Sequence, residues 1–432
     1  MPLLAPLVLA LALLQAPRPA PVASDTDSVA VDVPEIVEEA AEEATEAAIA
    51  VRRLRVRPVV SPSALYSASK GFGLGGGIAA GDVLGPGDHL QIEARLAERL
   101  QGAYAEYRTG NADDDPLFLL LGAAGWTTSR TRFTGHGPTS DPEGSLYLDR
   151  DVAFGEARLG WSPGGPGGVL LQPAVRLRLD RLNGFEETDP GSLALVSAED
   201  LDRLDTLRVE RRLGAEVALA VVRDTRNIRA LPSRGSYLQA ELSRFQTIDG
   251  SRLGFTRLQA TAYAFRPALI RLPFIPERGA LFVRANGVIT RDDGEDPLPW
   301  VYLPEAERDL LVGYPRSEFV GRDAVSLGVG ARGVIAQAIG AFLVEGVAMG
   351  LVGAAYDDIG RQFTPRVRFD GGAVPEGERV PLSPSLAVGL NIHFLDRERP
   401  IVGVLVGAGP EGISLASLRL VYGLRDFRPR FR

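Results

Sequence analysis

Four strand-length stretches of this chain change character at every residue, and that period of two restricts the fold more than any other feature. Val175, Leu177 and Leu179 alternate with Arg176, Arg178 and Asp180, and Leu258, Ala260, Ala262 and Ala264 alternate with Arg257, Gln259, Thr261 and Tyr263. Leu281, Val283 and Ala285 alternate with Phe282, Arg284 and Asn286. Leu386, Val388, Leu390, Ile392 and Phe394 alternate with Ser385, Ala387, Gly389, Asn391 and His393. Successive side chains of a strand point to opposite faces, so each stretch builds one apolar and one polar face. Between such stretches lie clusters of turn-forming residues: "GDVLGPGDH", "GNADDDP", "SPGGPGG", "RDDGEDP" and "DGGAVPEGE". From Val59 onward the chain is therefore read as all-β.

A soluble sandwich or propeller also alternates, so the period alone does not choose between it and a membrane barrel. Three features favour a transmembrane antiparallel β-barrel. The N-terminus reads as an export signal, no apolar span of about 20 residues follows it, and the polar faces carry Arg, Gln and Asn side by side, as a wet lumen allows. No propeller-like repeat is evident. Roughly 375 residues beyond the N-terminal segment, at about 20 to 25 per strand and connection, predict about 16 strands.

The apolar run Leu3 to Leu14 is too short to span a bilayer and precedes a small-residue site, Pro21-Val22-Ala23. Residues 1–23 are read as a secretory signal. Residues 24–58 are acidic and alanine-rich, with Glu38, Glu39, Glu42, Glu43 and Glu46, and lack the apolar content to build a core. They are expected to form a linker or a short solvated helix, leaving 59–432 for the barrel.

Several chemistries are disfavoured. The chain has no cysteine, which removes disulfides, thiolate nucleophiles and Cys-based zinc sites. A net charge of -8 argues against a nucleic-acid partner, since counterion release needs clustered cations. His89, His136 and His393 are widely scattered, with no zinc spacing, and His393 falls on the polar face of its strand. "GFGLGGG", Gly71 to Gly77, is not followed by a helix pattern and reads as barrel wall. Asp357 and Asp358, as neighbours on a predicted strand, would point to opposite faces. No catalytic or cofactor pattern emerges, and the expectation is a protein without enzymatic activity or cofactor.

Against that background, "RDTRNIRALPSRGSYLQAEL" resembles a hairpin of the BamA/TamA-like outer-membrane barrel family, the bacterial surface antigen barrels. Asp224, Arg226, Asn227, Pro232, Arg234 and Gly235 stand where that family has its hairpin residues. Asp224 and the arginines can hydrogen-bond the turn backbone, Pro232 presets a turn dihedral, and Gly235 permits a positive φ. "LLVGYPRSEFVGRD", Leu310 to Asp323, is similar to the family's long loop, which folds into the lumen. Gly313 and Tyr314 match its glycine and aromatic positions, while Val312 stands in place of an arginine. "AAYDDIGR" resembles the strand facing that loop, with Asp358 and Gly360 as counterparts, and "VSLGVGARG" lacks a glutamate near Gly330. With arginine and glutamate both missing, Arg316 or Arg332 is expected to pair with Asp358.

The resemblance runs from about Val59 to Leu424 and implies an outer-membrane location, contact with lipid, and a role in assembling or translocating outer-membrane proteins through a seam between first and last strands. Residues 24–58 are too few for a POTRA domain, so a separate periplasmic protein is an expected partner. The last strand also departs from the family, with Leu424 where such barrels commonly end in an aromatic residue. A passive channel or structural barrel is the alternative.

Overall fold

The structure is a computed structural model and describes residues 58–67, 71–85, 87–110, 115–133, 146–164, 168–187, 190–191, 194, 201, 212–227, 231–250, 252–268, 279–293, 298, 302, 321–338, 342–369, 378–394, 400–409 and 412–421. Among these, seventeen strands carry nearly all of the fold. They are β1 (Val59–Ser67), β2 (Gly71–Gly81), β3 (His89–Ala97), β4 (Leu100–Arg108), β5 (Leu117–Phe133), β6 (Leu146–Trp161), β7 (Val169–Glu187), β8 (Arg212–Asp224) and β9 (Gly235–Thr247). There follow β10 (Gly254–Pro267), β11 (Ala280–Asp292), β12 (Asp323–Ala338), β13 (Phe342–Tyr356), β14 (Phe363–Val367), β15 (Val380–Phe394), β16 (Pro400–Gly409) and β17 (Gly412–Val421). A four-residue helix, α1 (Ile359–Gln362), leads into β14.

Each strand pairs antiparallel with its sequence neighbour, except that β13 pairs with β15 and the short β14 pairs parallel with β15. Setting β14 aside from the seventeen leaves sixteen wall strands, the number expected from chain length. β1 pairs with β2 on one edge and with β17 on the other, so the strand order returns to its start. In lipid a closed ladder is what lets every backbone amide find a partner.

Alternation decides which face each side chain takes. Val175, Leu177, Val217, Leu219, Leu386, Val388 and Leu390 remain 49–64% exposed, while their neighbours Arg176, Asp180, Glu216 and Ser385 turn inward. A continuous band of half-exposed Leu and Val is unfavourable in water and is the surface a barrel presents to acyl chains.

With an even number of wall strands, both ends of the wall leave at one rim, here termed the terminal end. Its connections are short, the longest covering 268–279. The opposite rim, the loop end, carries the connections 188–211, 293–322 and 357–379. Residues Leu298 and Tyr302 of the 293–322 connection turn into the barrel and pack against Leu146, Leu148, Leu182, Phe245 and Phe255. These two residues of the long connection thus lie in the lumen, and residues 310–320 of the expected loop lie outside the described residues.

One expectation fails at the loop end. "AAYDDIGR" is not a continuous strand: β13 stops at Tyr356, and Asp357 and Asp358 lie in the turn before α1. Asp358 caps that helix, its Oδ1 accepting from the Gly360 amide at 2.9 Å. Gln362 Oε1 accepts from the Asp357 and Asp358 amides at 2.8 and 3.1 Å. Local side-chain bonds to the backbone outcompete the ladder here, and the two aspartates do not divide between two faces of a strand.

Candidate functional site

The polar faces of β6 to β9 meet inside the barrel and carry an ionic lattice. Arg176 stands at its centre. Its Nε donates to Glu156 Oε2 at 2.8 Å, its Nη1 to Glu216 Oε1 at 2.8 Å and Glu241 Oε1 at 2.7 Å, and its Nη2 to Glu241 Oε2 at 3.0 Å. Arg158, 1% exposed, pairs with Glu156 and donates to Gln172 Oε1 at 3.2 Å. Toward the loop end Asp180 accepts from Arg150 Nε at 3.1 Å and from Arg178 Nη2 at 3.2 Å. Four adjacent strands are strutted together this way. Carboxylates and guanidiniums buried in a lumen are tolerated because each finds an opposite charge in hydrogen-bonding geometry.

The lattice also holds the inward loop. Arg178 lies 4.9 Å from the centroid of the Tyr302 ring, and Arg257 donates to the Tyr302 carbonyl oxygen. The Tyr302 ring packs 5.1 Å from Phe245 and 6.0 Å from Phe255. Gly313, Tyr314 and Arg316, the expected loop motif, lie outside the described residues.

On β12 to β15 a second, smaller cluster replaces the expected pairing. Arg332 donates to Glu345, not to Asp358. Glu345 Oε2 accepts from Asn391 Nδ2 at 3.0 Å and lies 2.9 Å from His393 Nε2. Asp358 instead meets Arg361 at 3.4 Å, and Gly360 is exposed within α1. The reason is axial distance. β12 begins at Asp323 at the loop end, and Arg332 comes nine residues later, about 30 Å along a strand rising about 3.3 Å per residue. Asp358 stays at the rim. Gly330, where the glutamate was expected, lies beneath the ring of Phe282, its register partner on β11; a Cβ there would come within 2.5 Å of Phe282 Cζ. An aromatic side chain fills the space a carboxylate would need.

The six hairpin residues do come together, at the terminal end between β8 and β9. The Asp224 carboxylate accepts from Arg226 Nε at 2.9 Å, Nη2 at 2.6 Å and the Arg226 amide at 3.1 Å. Asn227 Oδ1 accepts from the Ser233 and Arg234 amides, both at 3.1 Å, closing the turn around Pro232. Gly235 has a φ of +100°, and a Cβ on it would meet the Thr225 carbonyl oxygen at 2.2 Å. Arg226 then lies 5.0 Å from the Tyr237 ring, which neighbours Tyr263 at 6.0 Å; Arg284 covers Tyr263 from β11 at 4.9 Å. An arginine–aromatic ladder thereby links the hairpin to the inner wall.

Across the lumen from the lattice the ring closes between β1 and β17. Among the described residues β1 and β17 pair over Ser63–Tyr66 and Leu418–Val421, and β1 and β2 pair over Val59–Ser67; residues 422–432, next in the β1–β17 register, lie outside the described residues. Pro62, next to this contact, has no amide to donate. β1, β2 and β16 contain no charged residue. Gly71, Gly73, Gly75 and Gly77 fall on the same face of β2, away from exposed Phe72 and Leu74, so no side chain there can reach a strut across the lumen. Register shifts interrupt the β15–β16 and β16–β17 ladders.

The sequence reading named none of Glu156, Arg158, Glu216, Glu241 or Glu345. A signal existed for the first two: Glu156 and Arg158 stand two apart on one strand, hence on one face, amid apolar residues. Tyr302 carried no such signal, because its partners come from distant strands.

No protein-family model matches the chain, and no curated protein matches its sequence. In fold it is similar to the crystal structure of BamA from Haemophilus ducreyi lacking POTRA domains 1–3, with a TM-score of 0.60 and 13% identity over 86% of this chain and 71% of that one. CdiB from Escherichia coli follows with a TM-score of 0.52 and 11% identity over 85% of this chain. This chain spans 63% of the CdiB chain's length. At such identities the likeness is one of fold.

Proposed function

We propose that this chain, a barrel with the fold of BamA-type outer-membrane proteins, assists the assembly or translocation of other proteins at the outer membrane by parting its wall between β1 and β17. One observation carries the reading: β1, beside the seam, and its neighbours β2 and β16 carry no charged residue, while strands strutted by the Arg176 lattice face them across the lumen. Where no side-chain strut crosses, the wall is held by its ladder, each hydrogen bond of which contributes about 0.5–1.5 kcal/mol net. Parted edges expose unpaired amides and carbonyls in a medium without water, and an incoming strand is the partner that satisfies them. Barrels of this kind keep short turns toward the periplasm and long loops outside. That rule sets the Asp224–Gly235 hairpin on the periplasmic side and Tyr302 beneath the outer surface.

A disulfide across the seam tests the proposal, since the chain has no native cysteine. S63C/V421C joins register partners of β1 and β17, and A218C/S243C joins register partners of β8 and β9 in the strutted half. Proteoliposomes holding the full chain should speed insertion of an unfolded eight-stranded outer-membrane barrel. Oxidised S63C/V421C should abolish that gain and reduction restore it, while A218C/S243C should have no effect. Equal insertion with both staples closed would sink the seam reading. No acceleration at all would leave the passive barrel, for which the charged lumen speaks, and single-channel conductance would measure it.

A further inference from the structure

At the loop end β13 and β15 pair no further than Gly353 and Ser383, and β14 pairs with β15 beyond that point, Phe363 with Val380 and Val367 with Leu382. Paired residues in a sheet share a face. Counting by twos along β15, Val380 and Leu382 fall on the face of Leu386, Val388 and Leu390, which is the lipid-facing one. Val380 and Leu382 are themselves buried with Ala354 and Tyr356, but the stripe beside them is not covered: Phe363 is 42% exposed, Val367 41% and Phe369 75%. Pro365, between Phe363 and Val367, is exposed too. Two arginines flank the stripe, Arg361 with its side chain 88% exposed and Arg366, also exposed.

We infer that Phe363, Val367 and Phe369, with Arg361 and Arg366, form an interfacial anchor that seats this rim of the barrel in the headgroup layer of an anionic, phosphate-bearing lipid leaflet. Three features select lipid as the occupant. The stripe continues the lipid-facing rows of β15 rather than forming an isolated patch. It lies about six residues, roughly 20 Å of strand, above Leu386, at the level where barrels carry their aromatic girdles. Its mixture of aromatic side chains and guanidiniums matches a boundary that is apolar beneath and negatively charged above. A proline on the exposed face and a strand of five residues make β14 a poor template for another strand.

The test uses the full chain reconstituted in bilayers, with F369W as reporter and the parent protein as fluorescence background. Phe369 is exposed enough that the exchange leaves the fold intact, which heat-modifiable migration verifies. In brominated phosphatidylcholine containing phosphatidylglycerol, the F369W emission should shift to the blue and lose most of its added intensity to bromine quenching. Omitting phosphatidylglycerol, or adding R361Q/R366Q, should move that emission back toward its aqueous value. Quenching by aqueous iodide but not by bromolipid would overturn the anchor. So would a blue shift that follows protein concentration and ignores lipid, which would mark a second copy as the occupant. Equal behaviour with and without anionic lipid, together with no effect of R361Q/R366Q, would remove the arginines from the anchor and refute it as stated.

Discussion

The two halves of the barrel wall are held by different physics. From β6 to β9 the inner face is a lattice of guanidiniums and carboxylates, crossed at the loop end by Tyr302; β1, β2 and β16 carry no charged residue, and β2 sets Gly71, Gly73, Gly75 and Gly77 on one face. Charge inside a lumen binds strands because breaking one contact strands several partners. Glycine has no side chain with which to hold a neighbouring strand, so that face of β2 resists separation through its ladder alone. On the proposed reading, one closed sheet is rigid and separable at once, with its struts concentrated away from the seam.

The largest effect is expected where that stiffness is centred. Replacing Arg176 with Met leaves Glu156, Glu216 and Glu241 without their shared cation, and loss of one partner of a buried ion pair costs about 3–5 kcal/mol. R176M should lower the temperature at which the barrel loses its heat-resistant migration, or prevent the folded band altogether. An unchanged melting profile would mean the lattice is ornamental and the two halves are equally stiff.

Tyr302→Ala comes next. It removes the ring packed on Phe245 and Phe255, at about 3 kcal/mol for a buried aromatic side chain, yet most of that loss falls on the loop rather than the wall. The expected readout is a rise in single-channel conductance with the barrel band still present, and near-parental behaviour for Tyr302→Phe. Parental conductance in both variants would show that the described loop residues do not obstruct the lumen.

Gly235→Ala should act more locally. A side chain at φ +100° with the Thr225 carbonyl in its way costs about 1–3 kcal/mol, felt at the terminal end and read as a shift in the urea midpoint of folding into liposomes. A shift as large as that of R176M would place the mechanical centre of the barrel in its hairpin instead of its lattice.

Much of this molecule was open to reading before any fold was known. Val175 to Asp180 and Leu386 to His393 announce strands with one apolar and one polar face, and chain length alone leads to about sixteen of them. The positive φ of Gly235 and the turn around Asn227 and Pro232 follow from the order of residues in one short segment. Asp357 and Asp358 were misread because alternation was carried past Tyr356, where side-chain bonds from Asp358 and Gln362 end the strand. Arg332 was assigned the wrong partner since sequence distance says nothing of height along a tilted strand. Phe282 over Gly330 could not be foreseen, being set by the β11–β12 register.

The sequence by itself determined the faces, the approximate strand number and the local turns, because strand periodicity and turn chemistry act between residues a few positions apart. Only the tertiary structure decided which charges meet, that Tyr302 closes on Arg178 and Arg257, and that β1 meets β17 to close the ring. Those contacts depend on register and on ring closure across more than 350 residues of chain, and no local rule carries that information.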